Sequence, residues 1–219
     1  MFEREYADRD QAGRQLGETV AAELGTTGGP ARPLVLGLPR GGVPVAARVA
    51  GALGGDLDVV VARKIAAPGR PEYGVGAIAE NGPPVFDRAA LAGLGLTEND
   101  LAGTVERERA ELARRIRRYR GDRLSPDPSG RVVIVVDDGI ATGVTARAAL
   151  RWLRTYPVAL LVLAAPVCSR EAGSALAADA DRVICPRRPA RFLAVGAWYA
   201  DFSQLTDDDV VRELAAYGA

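Results

Sequence analysis

RVVIVVDDGIATGVT, residues 131–145, is the stretch from which the fold can be worked out. Val132 to Val136 are five consecutive β-branched residues, and so continuous an apolar run predicts a strand buried on both faces. Asp137 and Asp138 follow at its carboxyl end, where the crevice of an open α/β sheet lies and such sheets bind ligands. Gly139, Thr142, Gly143 and Thr145 come next. These small residues let the backbone turn tightly and aim successive N–H groups at an anion. A helix predicted from about Thr145 through Arg154 adds the positive end of its dipole. Carboxylates beside an anion cradle suit a ligand carrying both vicinal hydroxyls and a phosphate. A phosphate loop of the Gly-Lys-Ser/Thr type is excluded, because no lysine follows Gly143.

The stretch resembles the phosphoribosyl-pyrophosphate (PRPP) signature of type I phosphoribosyltransferases, four hydrophobic residues followed by D-D-x-x-x-T-G-x-T. The resemblance implies that Asp137 and Asp138 hold the ribose hydroxyls, directly or through magnesium water. It implies too that Gly139, Ala141, Thr142, Gly143, Val144 and Thr145 cradle the 5′-phosphate, with Ile140 near the base. Earlier in the chain, Leu38-Pro39-Arg40-Gly41-Gly42 lies between a predicted strand, Leu34–Leu38, and a predicted helix, Val43–Leu53. It resembles the family's pyrophosphate loop, with Arg40 and Gly41 as PRPP ligands and a non-proline cis peptide near Pro39–Arg40.

Leu57–Ala62 reads as a second buried strand with Arg63-Lys64 at its end. Paired cations there fit either a solvated edge or the family's habit of aiming basic groups at the departing pyrophosphate. Residues 66–82, AAPGRPEYGVGAIAENG, carry little side-chain mass, as a mobile loop or loose hairpin would. The family has a flexible loop at this point that covers the substrates. Glu72-Tyr73-Gly74 is similar to the Glu-Tyr-Gly of adenine enzymes, which makes Glu72 a candidate proton acceptor; a solvated loop acid is the other reading. Hypoxanthine–guanine enzymes carry an aspartate where this chain has Ala141, which disfavours a 6-oxopurine acceptor.

Asp8 to Leu24 reads as an amphipathic scaffold helix, followed by a Gly- and Pro-rich loop, Gly25–Pro33. Thr97-Glu98-Asn99-Asp100 has a helix-capping pattern and opens a long helix over 97–120. Its apolar stripe is Leu101, Val105, Leu112, Ile116 and Tyr119, and its glutamates precede its arginines as the macrodipole prefers. Val158–Ala165 and Arg182–Cys185 predict further strands. Residues 186–205 form a small hood segment. Within it Phe192 and Trp198 are candidates for stacking on a base, or for core packing, and Asp201 is a candidate magnesium ligand beside Asp137 and Asp138.

Composition narrows the chemistry. The 219 residues are 48% hydrophobic, enough for one domain with a substantial core, drawn around a core sheet over 30–165. Lys plus Arg and Asp plus Glu are equal at 28 each, so no net field favours nucleic acid or a membrane. Histidine is absent, which removes histidine triads and leaves acid–base work to carboxylate, lysine or tyrosine. Cys168 and Cys185 lie in or beside apolar runs and read as small hydrophobes rather than ligands or a disulfide. MFEREYADRD does not resemble a signal peptide, and no run reaches membrane-spanning length.

The pattern LPRGGVPVA, RK, PE, VDDGxATGxT and AVGxWYxDF also resembles a bacterial group of predicted phosphoribosyltransferases, sometimes joined to a hydrolase domain. The expectation is therefore an α/β protein, a doubly wound parallel sheet with a flexible loop and a small hood. It is expected to act as a cytoplasmic, homodimeric, Mg²⁺-dependent enzyme moving ribose 5-phosphate from PRPP to a nucleobase-like acceptor. A PRPP- or nucleotide-binding regulator without turnover, and a nucleic-acid binder using the arginine-rich helix, are the other classes.

Overall fold

The computed structural model describes residues 4–25 and 32–218, so most of the loop expected at Gly25–Pro33 lies outside the described residues. Strands β1 (Leu34–Gly37), β2 (Asp56–Val59), β6 (Val132–Val136), β7 (Leu160–Ala164) and β8 (Arg182–Ile184) pair in parallel in the order β2-β1-β6-β7-β8. Strands β3 (Ala62–Ala67), β4 (Arg70–Ala79) and β5 (Val85–Phe86) form a separate antiparallel sheet. The α/β, doubly wound expectation holds.

The valine-rich β6 lies at the centre of the parallel sheet. Its alternate side chains enter two different cores, as period-two geometry requires. Ile134 and Val136 join a core built with α1 (Arg9–Leu24), α2 (Gly42–Leu53) and α7 (Asp207–Tyr217). Val133 and Val135 join one built with α5 (Val144–Leu153) and α6 (Arg170–Leu176). Each core sits on one face, so water meets this sheet at its ends.

The run Leu57–Ala62 is not one strand. β2 ends at Val59, and the chain leaves the parallel sheet through buried Val60 and Val61 to begin β3 at Ala62. The apolar run is continuous because both sheets are buried there. Residues 66–82 take the hairpin form: β4 pairs with β3 through Lys64↔Ala77 and Ile65↔Gly76, with a register shift at Ala66. The glycines that suggested a loop serve packing instead. A Cβ at Gly74 would lie 2.8 Å from Cδ of Lys64, and one at Gly76 2.6 Å from the Val85 carbonyl oxygen. After β5 comes α3 (Arg88–Leu94), a helix the sequence reading did not contain, and then α4 (Ala102–Arg120).

A buried ion cluster joins the hairpin to the main sheet. Arg120, at the end of α4, is 4% exposed, Asp58 of β2 5% and Glu80 at the end of the hairpin 3%. The guanidinium donates to Asp58 Oδ2 at 3.1 Å, to both Glu80 oxygens at 2.9 Å and to the Val59 carbonyl. Glu80 holds a left-handed φ of 33° and also accepts from the Val61 N–H at 3.2 Å. Removing the cation would strand two acids without a counter-charge.

Arg120→Met is therefore expected to lower the unfolding free energy by about 3–5 kcal/mol, whereas Arg118→Ala, which breaks an exposed pair with Asp208, should cost less than about 1 kcal/mol. Urea denaturation of the two variants checks this, and equal effects would show that the buried cluster does not tie the two sheets.

Candidate active site

At the carboxyl end of β6 the chain makes the turn 137–143 and enters α5. Gly143 sits at the N-cap with φ 73°, and a Cβ there would lie 2.6 Å from Leu176 Cδ1, so only glycine fills the position without strain. The amides that open α5 receive no side-chain cap, and those that open α2 receive none from Gly41. By contrast α1, α3, α6 and α7 are capped by Asp8, Asp87, Ser169 and Thr206. The helix that starts at the signature thus keeps its N–H groups for another acceptor.

Those amides line a cup of about 160 Å³ bounded by Asp137, Gly139 to Ala146 and Val195. Ser169 fixes its outer rim: its N–H donates to the Ile140 carbonyl at 2.9 Å and its hydroxyl to the Ala141 carbonyl at 2.7 Å. Val195, from the hood, closes the opposite wall against Gly139, where a Cβ would lie 2.4 Å from its Cγ1. Ile140 is 2% exposed and packs into the core where it borders the cup, and it does not line the larger cavity.

The two acids have different surroundings. Asp137 lines the cup and accepts from the Asp138 N–H at 2.9 Å. Burial, then the adjacent Asp138 charge, push its carboxyl well above the usual carboxylate range. Asp138 turns away from the cup. Its Oδ2 accepts from Arg9 Nε at 2.8 Å, and a Cβ on Gly41 would lie 1.8 Å from that oxygen. Burial raises its pKa and the Arg9 contact opposes the rise. The Asp138 carbonyl also accepts from the Tyr199 hydroxyl.

The turn 38–42 packs directly on this end of β6. The Leu38 N–H donates to the Val136 carbonyl at 2.8 Å, and a Cβ at Gly42 would lie 2.5 Å from the same oxygen. The peptide Pro39–Arg40 is cis, as the resemblance implied. Arg40 itself sits near Tyr119 and Asp207. Burial would raise the Asp207 carboxyl, but the Tyr119 hydrogen bond and the charges of Arg115 and Arg40 together hold it below its ordinary range.

A larger cavity, about 1070 Å³, adjoins the cup through Ala141, Thr142, Val144 and Thr145. Lys64 and Tyr73 of the hairpin and Phe192 and Leu193 of the hood lie on its wall, with Tyr73 47% and Leu193 69% exposed. Of the basic pair, Lys64 therefore reaches this space, while Arg63 donates to Glu108 at 2.8 Å. Trp198 does not face it. It packs against the cluster of Tyr6, Ala12 and Tyr199, so of the two aromatic candidates the structure brings only Phe192 to the cavity. Asp201 is exposed, accepts from the Ser203 N–H at 2.9 Å and stands outside both spaces. The side chain of Glu72 lies outside the described residues. Cys168 and Cys185 are free thiols, the first buried.

Sequence reasoning missed Arg9, Ser169, Val195 and Tyr199. Ser169 could have been found as a helix cap, and Val195 and Tyr199 stand in the AVGxWYxDF pattern without a role assigned to them, while Arg9 acts across the chain and left no local signal.

Residues 7–194 match the family described as "Phosphoribosyl transferase domain". The chain belongs to this family. Two Mycobacterium tuberculosis proteins, from strains CDC 1551 and H37Rv and each named "Putative phosphoribosyl transferase", are 41% identical over 209 residues, covering 95% of this chain and 46% of theirs. The chain thus spans about half the length of these curated relatives. The crystal structure of TT1426 from Thermus thermophilus superposes with a TM-score of 0.80 at 43% identity, covering 97% of this chain and 99% of that one. Within the phosphoribosyl transferase domain, the matched residues contain both acids and the signature turn of the cup.

Gly41→Ala is expected to destabilise the protein by about 1–3 kcal/mol, because the added methyl would occupy the Asp138 carboxylate position. An unchanged denaturation midpoint would show that this carboxylate does not rest on the turn.

Proposed function

We propose that this phosphoribosyl transferase moves ribose 5-phosphate from PRPP to a nitrogenous, nucleobase-like acceptor and releases pyrophosphate. The observation that carries the reading is the uncapped amide cup at the carboxyl end of the central strand, with Asp137 on its wall. Amides of 141–145 and the Thr142 and Thr145 hydroxyls would hold the 5′-phosphate, and Asp137 would accept from the ribose hydroxyls. Lys64 and, on exchange from Glu108, Arg63 would meet the pyrophosphate, with Arg40 and Gly41 in the turn beside it. As charge develops on the leaving group, these cations stabilise it more than they stabilise the ground state.

The donor set fits a cation that travels with the substrate. Among the described residues no three carboxylates converge, and Asp138 is already engaged by Arg9. Magnesium keeps its waters and prefers phosphate oxygens, so a single carboxylate beside the sugar suits it. Bound there, Mg²⁺ would neutralise pyrophosphate charge. In the large cavity Tyr73, Phe192 and Leu193 offer ring and apolar surface for an acceptor ring among charged and hydroxyl side chains such as Lys64, Arg147 and Ser169, and Glu72 is retained as the proposed proton acceptor. We include the homodimer in this proposal, as an expectation from the resemblance. Among the described residues no helix is long and apolar enough to cross a membrane.

The test is incubation with PRPP, Mg²⁺ and a panel of nucleobases and related heterocycles, read by product mass and pyrophosphate release. Turnover with at least one acceptor is expected, lost on chelation of Mg²⁺. Asp137→Asn should lower kcat/KM by roughly 10²-fold. PRPP binding without turnover on any acceptor would replace the enzyme with a PRPP-responsive regulator, and no PRPP binding would end both readings.

A further inference from the structure

We propose that Cys168 and Cys185 form a redox-active thiol pair, and that closing it to a disulfide loosens the rim of the amide cup. The pair is independent of the PRPP reading; only its consequence for a bound sugar phosphate rests on that reading. These are the only cysteines of the chain. Cys168 comes after β7 and Cys185 directly after β8, and both converge on one backbone group. The Arg187 carbonyl accepts from the Cys168 N–H at 3.0 Å and from the Cys185 thiol at 3.4 Å. Cys168 belongs to the core on the α5 and α6 face, and Cys185 packs against that core. The first is fully buried and the second is partly open to solvent, so a reagent meets Cys185 first.

A cation stands beside the pair. A Cβ at Gly173 would lie 3.1 Å from Cys168 Sγ and 3.6 Å from Arg188 Cζ, so the guanidinium flanks the buried sulfur. Hydrogen bonding with the Cys185 thiol lowers the Cys168 pKa, burial opposes this, and the Arg188 charge adds to the lowering. The same bond, together with burial, raises Cys185. One proton is therefore held between two sulfurs, and the pair ionises more readily than a lone buried thiol. Exchange with a low-molecular-weight disulfide then proceeds in two steps. With the shared proton on Cys168, the Cys185 thiolate attacks one sulfur of the reagent, forms a mixed disulfide and expels a thiolate. Cys168 loses its proton, attacks the Cys185 sulfur and expels the second thiolate. The protein gives up two protons and two electrons, and the reagent takes both as two thiols.

Three consecutive residues connect this chemistry to the cup. Val167 bridges Arg187, Cys168 bridges Ile140, and Ser169 holds the cup at the Ile140 and Ala141 carbonyls. A sulfur–sulfur bond of about 2 Å is much shorter than the contact between two hydrogen-bonded thiols, so closure draws Cys168 and Cys185 together. Cys168 is wedged against Gly173 of α6 and held by Arg187, and its displacement passes along the chain to the next residue. That residue is Ser169, whose hydroxyl serves the Ala141 carbonyl and the first turn of α6 at once. Moved from this position, it no longer fixes the rim.

The test treats the whole chain with dithiothreitol or with oxidised glutathione, beside the variant Cys185→Ser, and reads intact mass, free thiols and hydrogen exchange over residues 139–146. Oxidised wild type is expected to lose two hydrogens and both titratable thiols, and its 139–146 amides to exchange roughly tenfold faster. Dithiothreitol should reverse all three changes, and glutathione-treated Cys185→Ser should exchange as slowly as reduced wild type. Two retained thiols, a stable glutathione adduct or a disulfide between two chains would each overturn the pair. A closed disulfide with unchanged exchange at 139–146 would overturn its action on the cup. Should Cys185→Ser fail to fold, Cys185→Ala replaces it, and the reversible comparison within the wild type decides without either. Calorimetric titration of PRPP with Mg²⁺ should show binding weakened by a similar factor in the oxidised form. A reduced wild type that binds no PRPP would end the PRPP reading, while mass and exchange still decide the thiol pair.

Discussion

The structure depends on the burial of β6 on both faces. Side chains from Val133 to Val136 all have zero exposure, divided between two cores. A strand in that position has no polar face, so functional groups can appear only where it ends. The chain places two acids there, then a turn whose amides remain unspent at the start of α5. The turn 38–42 is forced against the same end because β1 lies beside β6 in register, Gly37 opposite Val136. Two loops from sequence-distant segments thereby meet at one point.

Burying acids near a sheet edge leaves charge to be balanced, and the molecule balances it with arginine from distant helices. Arg9 from α1 meets Asp138, and Arg120 from α4 meets Asp58 and Glu80. The two clusters lie in different places and serve different ends. The Arg120 cluster has two acids to one cation, is closed to water and joins the hairpin to the parallel sheet. The Arg9 pair is one to one and backs the cup. In a chain without histidine, neither cluster contains a group whose ordinary titration falls in the physiological range, which suits positioning better than switching.

Local chemistry made the signature, the turn 38–42 and the parallel sheet legible, because strand burial, glycine and an uncapped helix start all write their requirements into consecutive residues. Where the reading failed, the cause was tertiary. Leu57–Ala62 looked like one strand because Val60 and Val61 are buried in passing between two sheets. The 66–82 segment read as a mobile loop or a loose hairpin, and local sequence could not choose between them, because the glycines that make room for Lys64 and Val85 do so across strands. Trp198 read equally as a stacking or a core residue, and contacts across the chain are what join its backbone and ring to the N-terminal segment. Arg9 and Asp138 stand 129 positions apart, and no spacing rule joins them.

The division of labour between backbone and side chain follows from this geometry. In the proposed function the cup would hold an anion with main-chain amides, and its rim is fixed by Ser169, itself held to the main chain at Ile140 and Ala141. Most side-chain substitutions leave such a grip unchanged, because an amide looks the same whatever residue carries it. The wall of the large cavity is the opposite case. Tyr73 comes from the hairpin, and Phe192 and Leu193 come from the hood, so two separately anchored elements define its shape with side chains. On the proposed reading, a molecule built this way would keep one fixed way of holding a phosphorylated sugar while altering what is presented to it. The proposed acceptor would thus be the part of the chemistry that side chains, and not the fold, determine.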